Sequence, residues 1–115
     1  MSDTAGPCEI CGRLVPERTK HHLIPRRTHR QSRVRKKFAR DELHRRTAML
    51  CRPCHRTVHA TLSEAELAEA YHTVDALRNH PDIARFVRWV RKQPVDRRIG
   101  VRSTAARREQ KRRRR

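Results

Sequence analysis

Residues 50–59, Leu50-Cys51-Arg52-Pro53-Cys54-His55-Arg56-Thr57-Val58-His59, place two kinds of metal ligand in one short stretch. Proline is tolerated in the first turn of a helix, so a helix is expected from Pro53. On it His55 and His59 stand at i and i+4 and project from one face. Val58 and Leu62 lie on a neighbouring face and suit inward packing. Just before them, Cys51-x-x-Cys54 has the spacing at which two thiolates reach one ion, each sulfur about 2.3 Å from it.

A matching pair, Cys8-x-x-Cys11, lies upstream with 39 residues between the pairs and Gly12 at the expected turn. Together the pairs supply a closed, tetrahedral four-sulfur site, which is a structural zinc pattern. Four unrelated thiols or a redox pair are the competing readings. The chain needs such a staple. In 115 residues it has 35% apolar and 3% aromatic residues, a thin core for one domain. No run of eighteen apolar residues predicts a membrane span, and Met1–Gly6 has no apolar segment of a secretory signal. A cytoplasmic location with reduced cysteines is therefore expected.

His21 and His22 precede Leu23-Ile24-Pro25, and Pro25 should hold Ile24 extended. Neighbours on a strand face opposite ways, so one of the two can join His55 and His59 while the other takes a different role. Three imidazoles with positions left open form a catalytic pattern rather than a closed one. Alternatively, His55 or His59 completes a site with three cysteines, and His21 and His22 lie on a basic surface.

The rest of the chain frames these residues. Residues 26–40 hold eight Lys or Arg and no acid: Arg26, Arg27, Arg30, Arg33, Arg35, Lys36, Lys37 and Arg40. Val34 and Phe38, four apart, suit a short helix with one buried edge. Thr47–Leu50 suits a short buried strand. Ser63 with Glu66 forms a capping box, and Leu67, Ala70, Tyr71, Val74 and Leu77 recur with helical period. Pro81 interrupts, and a second helix with Ile83, Phe86, Val87 and Val90 inward runs towards Pro94. The expected organisation is a zinc-stapled core over 1–62, a helical hairpin packed on it over 63–93, and a flexible basic tail over 94–115. Residues 1–7 read as a loose lead-in.

A net charge of +18 points to a polyanionic partner. Nucleic acid is expected, double-stranded DNA ahead of RNA, with the 26–40 run gripping the backbone. A merely solvated basic face is the bland reading, and a lipid surface lacks an amphipathic basic segment with exposed aromatics.

Cys8-x-x-Cys11, His21-His22-Leu23-Ile24-Pro25 and Leu50-Cys51-Arg52-Pro53-Cys54-His55-x-x-x-His59, in that order, resemble the HNH endonuclease family over roughly the first half of the chain. The resemblance implies an α+β fold with a ββα-metal (His-Me finger) core, here with a Cys₄ zinc knuckle. It also implies that His21 is the metal ligand on the first strand and His22 the general base, with His55 and His59 as helical ligands. One departure is visible. The family has an Asn in the second strand or the loop before it, whereas the only Asn here is Asn79. By position His44 takes that place and can hydrogen-bond the backbone as Asn does; the alternative is a plain surface residue.

The function so implied is hydrolysis of phosphodiester bonds in DNA with one structural Zn²⁺ and one catalytic divalent ion, Mg²⁺, Mn²⁺, Ni²⁺ or Zn²⁺. Carboxylates near the site are too few to imply a further ion. The rivals are a non-catalytic zinc module that binds DNA or RNA, and an interaction protein using the 63–93 hairpin. The oligomeric state, monomer or homodimer, is open.

Overall fold

Strands that are only two to four residues long must be held by something beyond their ladders, and the computed structural model shows what holds them. It describes residues 4–101 and 104–113. The first pair, β1 (Gly6–Pro7) and β2 (Leu14–Val15), is antiparallel and brackets the first Cys-x-x-Cys. The second pair, β3 (Thr19–His22) and β4 (Thr47–Leu50), is also antiparallel, with His21 opposite Ala48 and His22 opposite Thr47. The Glu9 amide donates to the Met49 carbonyl at 3.0 Å, which ties the first turn to β4.

Between β3 and β4 run a 3-10 turn (Arg26–Thr28) and two short helices, α1 (Ser32–Lys37) and α2 (Arg40–Arg45). Val34, Phe38 and Leu43 bury there with Ile24 and Ala68, so the Val34–Phe38 edge packs as its spacing predicts. Helix α3 (Arg52–Thr61) follows β4 at once, with Pro53 in its first turn.

The capping box forms as read. Ser63 caps α4 (Glu64–Ala70), its Oγ accepting from the Glu66 amide at 3.2 Å while the Glu66 carboxylate accepts from the Ser63 amide at 3.1 Å. The helix expected to continue through Leu77 instead breaks at Tyr71 and restarts as α5 (Val74–Asn79), because the Thr73 hydroxyl accepts from the Ala76 amide. Local side-chain capping outbids a helical apolar period here. His80 caps α6 (Pro81–Val90) through Nδ1. One core unites Val58, Leu62, Leu67, Leu77, Ile83, Val87 and Val90 with all four cysteines, and α6 packs on α3.

Two further readings change. Gly6 and Pro7 are a strand rather than loose lead-in, while residues 1–3 lie outside the described ones. Where a flexible tail was expected, residues 105–113 form helix α7 (Ala105–Arg113), packed on α3. The Thr104 amide donates to the Ala60 carbonyl, the Thr104 hydroxyl caps Arg107, and Gln110 donates to Glu66 at 2.9 Å. Tail residues 102, 103, 114 and 115 lie outside the described ones. No described helix is long and apolar enough to cross a membrane.

Candidate functional site

Cys8, Cys11, Cys51 and Cys54 are all buried, and their sulfurs lie within 4.8 Å of one another. None is in a disulfide. The turn after Cys8 is closed by Gly12 N–H donating to the Cys8 carbonyl at 2.8 Å, and the Cys11 amide points at Cys8 Sγ at 3.4 Å. Gly12 sits at φ +83°, the left-handed region that a side chain disfavours. Hydrogen bonds from Cys51 and Cys54 push the Cys11 thiol far below its ordinary value, while those to Cys11 and Cys51 push Cys54 far above it. Four thiols this close cannot all ionise without a cation among them, and a divalent ion removes that conflict. The donor set and its burial fit a structural metal ion. Arg13 places Nη2 3.6 Å from Cys51 Sγ and donates from Nη1 to the Gln93 carbonyl at 3.3 Å, so a fixed cation beside the sulfurs also ties down the chain after α6.

A second cluster stands apart from the first. His21 on β3 and His55 and His59 on α3 bring ring nitrogens within 4.8 Å of one another. Their ring centroids are 5.0–5.2 Å apart. His21 is 1% exposed, and neither of its ring nitrogens has a hydrogen-bond partner among the described residues. Leaving a buried polar atom unpaired costs about 1–3 kcal/mol, so such an atom calls for a ligand. Burial first, and then the charges of His59, His55 and His22, hold His21 at about 3. Burial, then His59 and His22, holds His55 at about 4. Burial likewise lowers His59, with Glu64 opposing and Arg107 adding to the effect. All three are neutral near pH 7, the state in which an imidazole binds a metal.

Thr19 was not anticipated. Its hydroxyl lies 2.7 Å from His55 Nδ1 and donates to the Leu50 carbonyl at 3.2 Å. Since its one proton goes to Leu50, the hydroxyl accepts from His55 Nδ1–H, which leaves Nε2 as the free lone pair. The signal was present: Thr19 and His21 are two apart on one strand and so share a face.

His22 faces away from His21, half-buried on β3. Its pKa is lowered by burial and then by Arg26, Lys20, His29 and His44. His44 sits exposed on α2 with no hydrogen bond among the described residues, its ring edge-on to His29 at 5.1 Å. His29 does bond to backbone, its Nε2 donating to the Ile24 carbonyl at 2.8 Å. Sequence reasoning missed His29 because the bond depends on the turn after Pro25.

Arg26, Arg27, Arg30, Arg33, Arg35, Lys36, Lys37 and Arg40 are all exposed, but they do not share one face. Arg30, Arg35 and Arg40 line a cavity of about 680 Å³ with His29 and His44, whereas Arg33 and Lys37 face α4, where Lys37 donates to the Glu69 carbonyl.

No known-family model and no solved structure matches the chain. It is similar to "Uncharacterized protein YisB" of Bacillus subtilis (strain 168), with 37% identity over 107 residues that span 93% of this chain and 95% of the relative. Identity of that degree over nearly the whole of both chains shows common descent, and the chain belongs to the same family as YisB.

Proposed function

We propose that this chain is a metal-dependent endonuclease of the HNH type that hydrolyses phosphodiester bonds in DNA, on a ββα-metal core made of β3, β4 and α3. The observation that carries the reading is His21, buried with both ring nitrogens unpaired, facing two further neutral imidazoles. Its neighbour on the opposite face of the strand is then free for proton transfer.

In this reading His21, His55 and His59 hold one divalent ion, Mg²⁺, Mn²⁺, Ni²⁺ or Zn²⁺, and the cysteine quartet holds a structural zinc. When bound, the ion supplies positive charge against the scissile phosphate and the leaving oxygen. His22 is the general base. Burial and the surrounding cations favour its neutral form, so at neutral pH it can accept the proton of the attacking water. The water oxygen bonds to phosphorus as the bond to the leaving oxygen breaks. His29 and His44 stand near His22 and add to that bias, with His29 locked by the Ile24 carbonyl. Arg30, Arg35 and Arg40 grip the backbone on the same side. Contacts of this kind position a strand without reading its sequence, so weak sequence preference is expected.

The test is plasmid nicking with Mg²⁺, Mn²⁺, Ni²⁺ or Zn²⁺, run beside His22→Ala. Cleavage lowered about 100-fold or more in the variant is expected for a lost general base. Equal cleavage by both removes His22 from that role. No cleavage with any of the four ions favours a zinc-dependent module that binds DNA or RNA without cutting it.

A further inference from the structure

Helix α7 closes one wall of a cleft that the basic run 26–40 does not reach. The cleft, about 520 Å³, is lined by Thr19, Arg52, His55, Arg56, His59, Ala60 and Lys111. Arg52 and Arg56 stand one turn apart on α3, beside His55 and His59, and Lys111 comes from α7. Among the described residues, three cations and no carboxylate line it. Arg52 is partly engaged by Glu17 outside the cleft, at 3.4 Å and well exposed. The side chains of Arg56 and Lys111 are exposed and make no hydrogen bond or ion pair among the described residues. Cations gathered in a concave site that ends on the trihistidine cluster select an oxyanion, and a polyanionic strand supplies several at regular spacing.

We propose that this cleft is a second phosphate subsite, in which Arg56 and Lys111 each hold one backbone phosphate flanking the one at the trihistidine cluster. The proposal rests on nucleic acid being the ligand of that cluster. It makes α7 a part of the binding surface. The strand would pass between two basic banks, with Arg30, Arg35 and Arg40 on the His22 side and Arg56 and Lys111 on the His55–His59 side.

The experiment measures affinity of the zinc-loaded full chain for a labelled DNA duplex across a salt series, without cleavage as a readout. Lys111→Ala and Arg56→Ala are each expected to reduce the log–log salt slope by about 0.9, one phosphate contact apiece. Arg88→Ala removes the same charge from the exposed side of α6 and is expected to leave the slope unchanged. Unchanged slopes for Lys111→Ala and Arg56→Ala overturn the subsite, as does an equal fall for all three. Calorimetry with inorganic phosphate separates the two sources of the anion. Phosphate heat lost in Lys111→Ala beside an unchanged DNA slope assigns the cleft to free phosphate and overturns the strand. A chain that cuts no DNA yet shows the expected slopes refutes the nuclease reading and leaves this one standing. Cleavage with unchanged slopes does the reverse.

Discussion

Thr19 and His21 share one face of β3, and between them they decide what the trihistidine cluster can do. His21 contributes a neutral, buried ring whose nitrogens have no hydrogen-bond partner among the described residues. Thr19 fixes the tautomer of His55, so that Nε2 is the atom left to bind. Thr19→Val keeps shape while removing the hydroxyl. It is expected to weaken metal binding at the cluster about 10-fold or more and to leave the cysteine quartet's ion in place. Competition titration with Co²⁺ and a chromophoric chelator reads both, and unchanged affinity would show that Thr19 does not hold the ring. At this scale much was legible. Alternation on a strand separates His21 from His22, and helical spacing joins His55 to His59. The hydrogen bond of His29 was not legible, because its acceptor, the Ile24 carbonyl, is presented only once the turn at Arg26–Thr28 has formed.

Elements here are short, and the starts of α4, α5 and α6 are set by single side chains. Ser63 both caps α4 and orders Glu66, which in turn receives Gln110 from α7. Burial pushes the Glu66 carboxyl up, but hydrogen bonds from Gln110 and Ser63, together with the Arg107 charge, outweigh it and leave it lowered. A lowered carboxyl favours the folded state above the unfolded pKa of about 4.3, and that contribution is lost as pH falls through the folded value. Ser63→Ala is expected to cost about 1 kcal/mol, measured as a fall in the thermal midpoint, and to loosen α7. Hydrogen exchange at the amides of residues 107–111 would report the second effect, and unchanged protection there would detach α7 from the capping box. The capping box was readable because both partners lie three residues apart. The break at Tyr71 and the docking of α7 were not. Thr73 competes locally against an unbroken apolar period, and the charge density of residues 105–113 says nothing of a carboxylate 44 residues away.

Across the molecule, one core contains all four cysteines and the apolar faces of α3, α4, α5 and α6. Arg13 and the Arg91 side chain, which donates to the Cys11 carbonyl at 3.0 Å, link the quartet to the end of α6. An ion in the quartet is therefore part of the fold rather than an accessory to it. Stripping it with a strong chelator, or replacing Cys51 with Ser, is expected to abolish the cooperative thermal transition, since metal-binding energy in such small domains is folding energy. Retention of the wild-type melting curve would contradict this. The need for a staple was legible from a thin core and two Cys-x-x-Cys pairs. Packing of the later helices on the stapled core was expected as well, but not the particular pairing of α6 with α3, which leaves no local pattern. The central claim is that the chain has two separate metal sites, one closed by four sulfurs and one open between three imidazoles. Metal content after dialysis, followed by Co²⁺ titration of wild type and His21→Ala, tests it most directly. The account predicts one tightly held ion in both proteins and a second, exchangeable ion in wild type alone. A single ion in wild type, or a second one that survives His21→Ala, would contradict it.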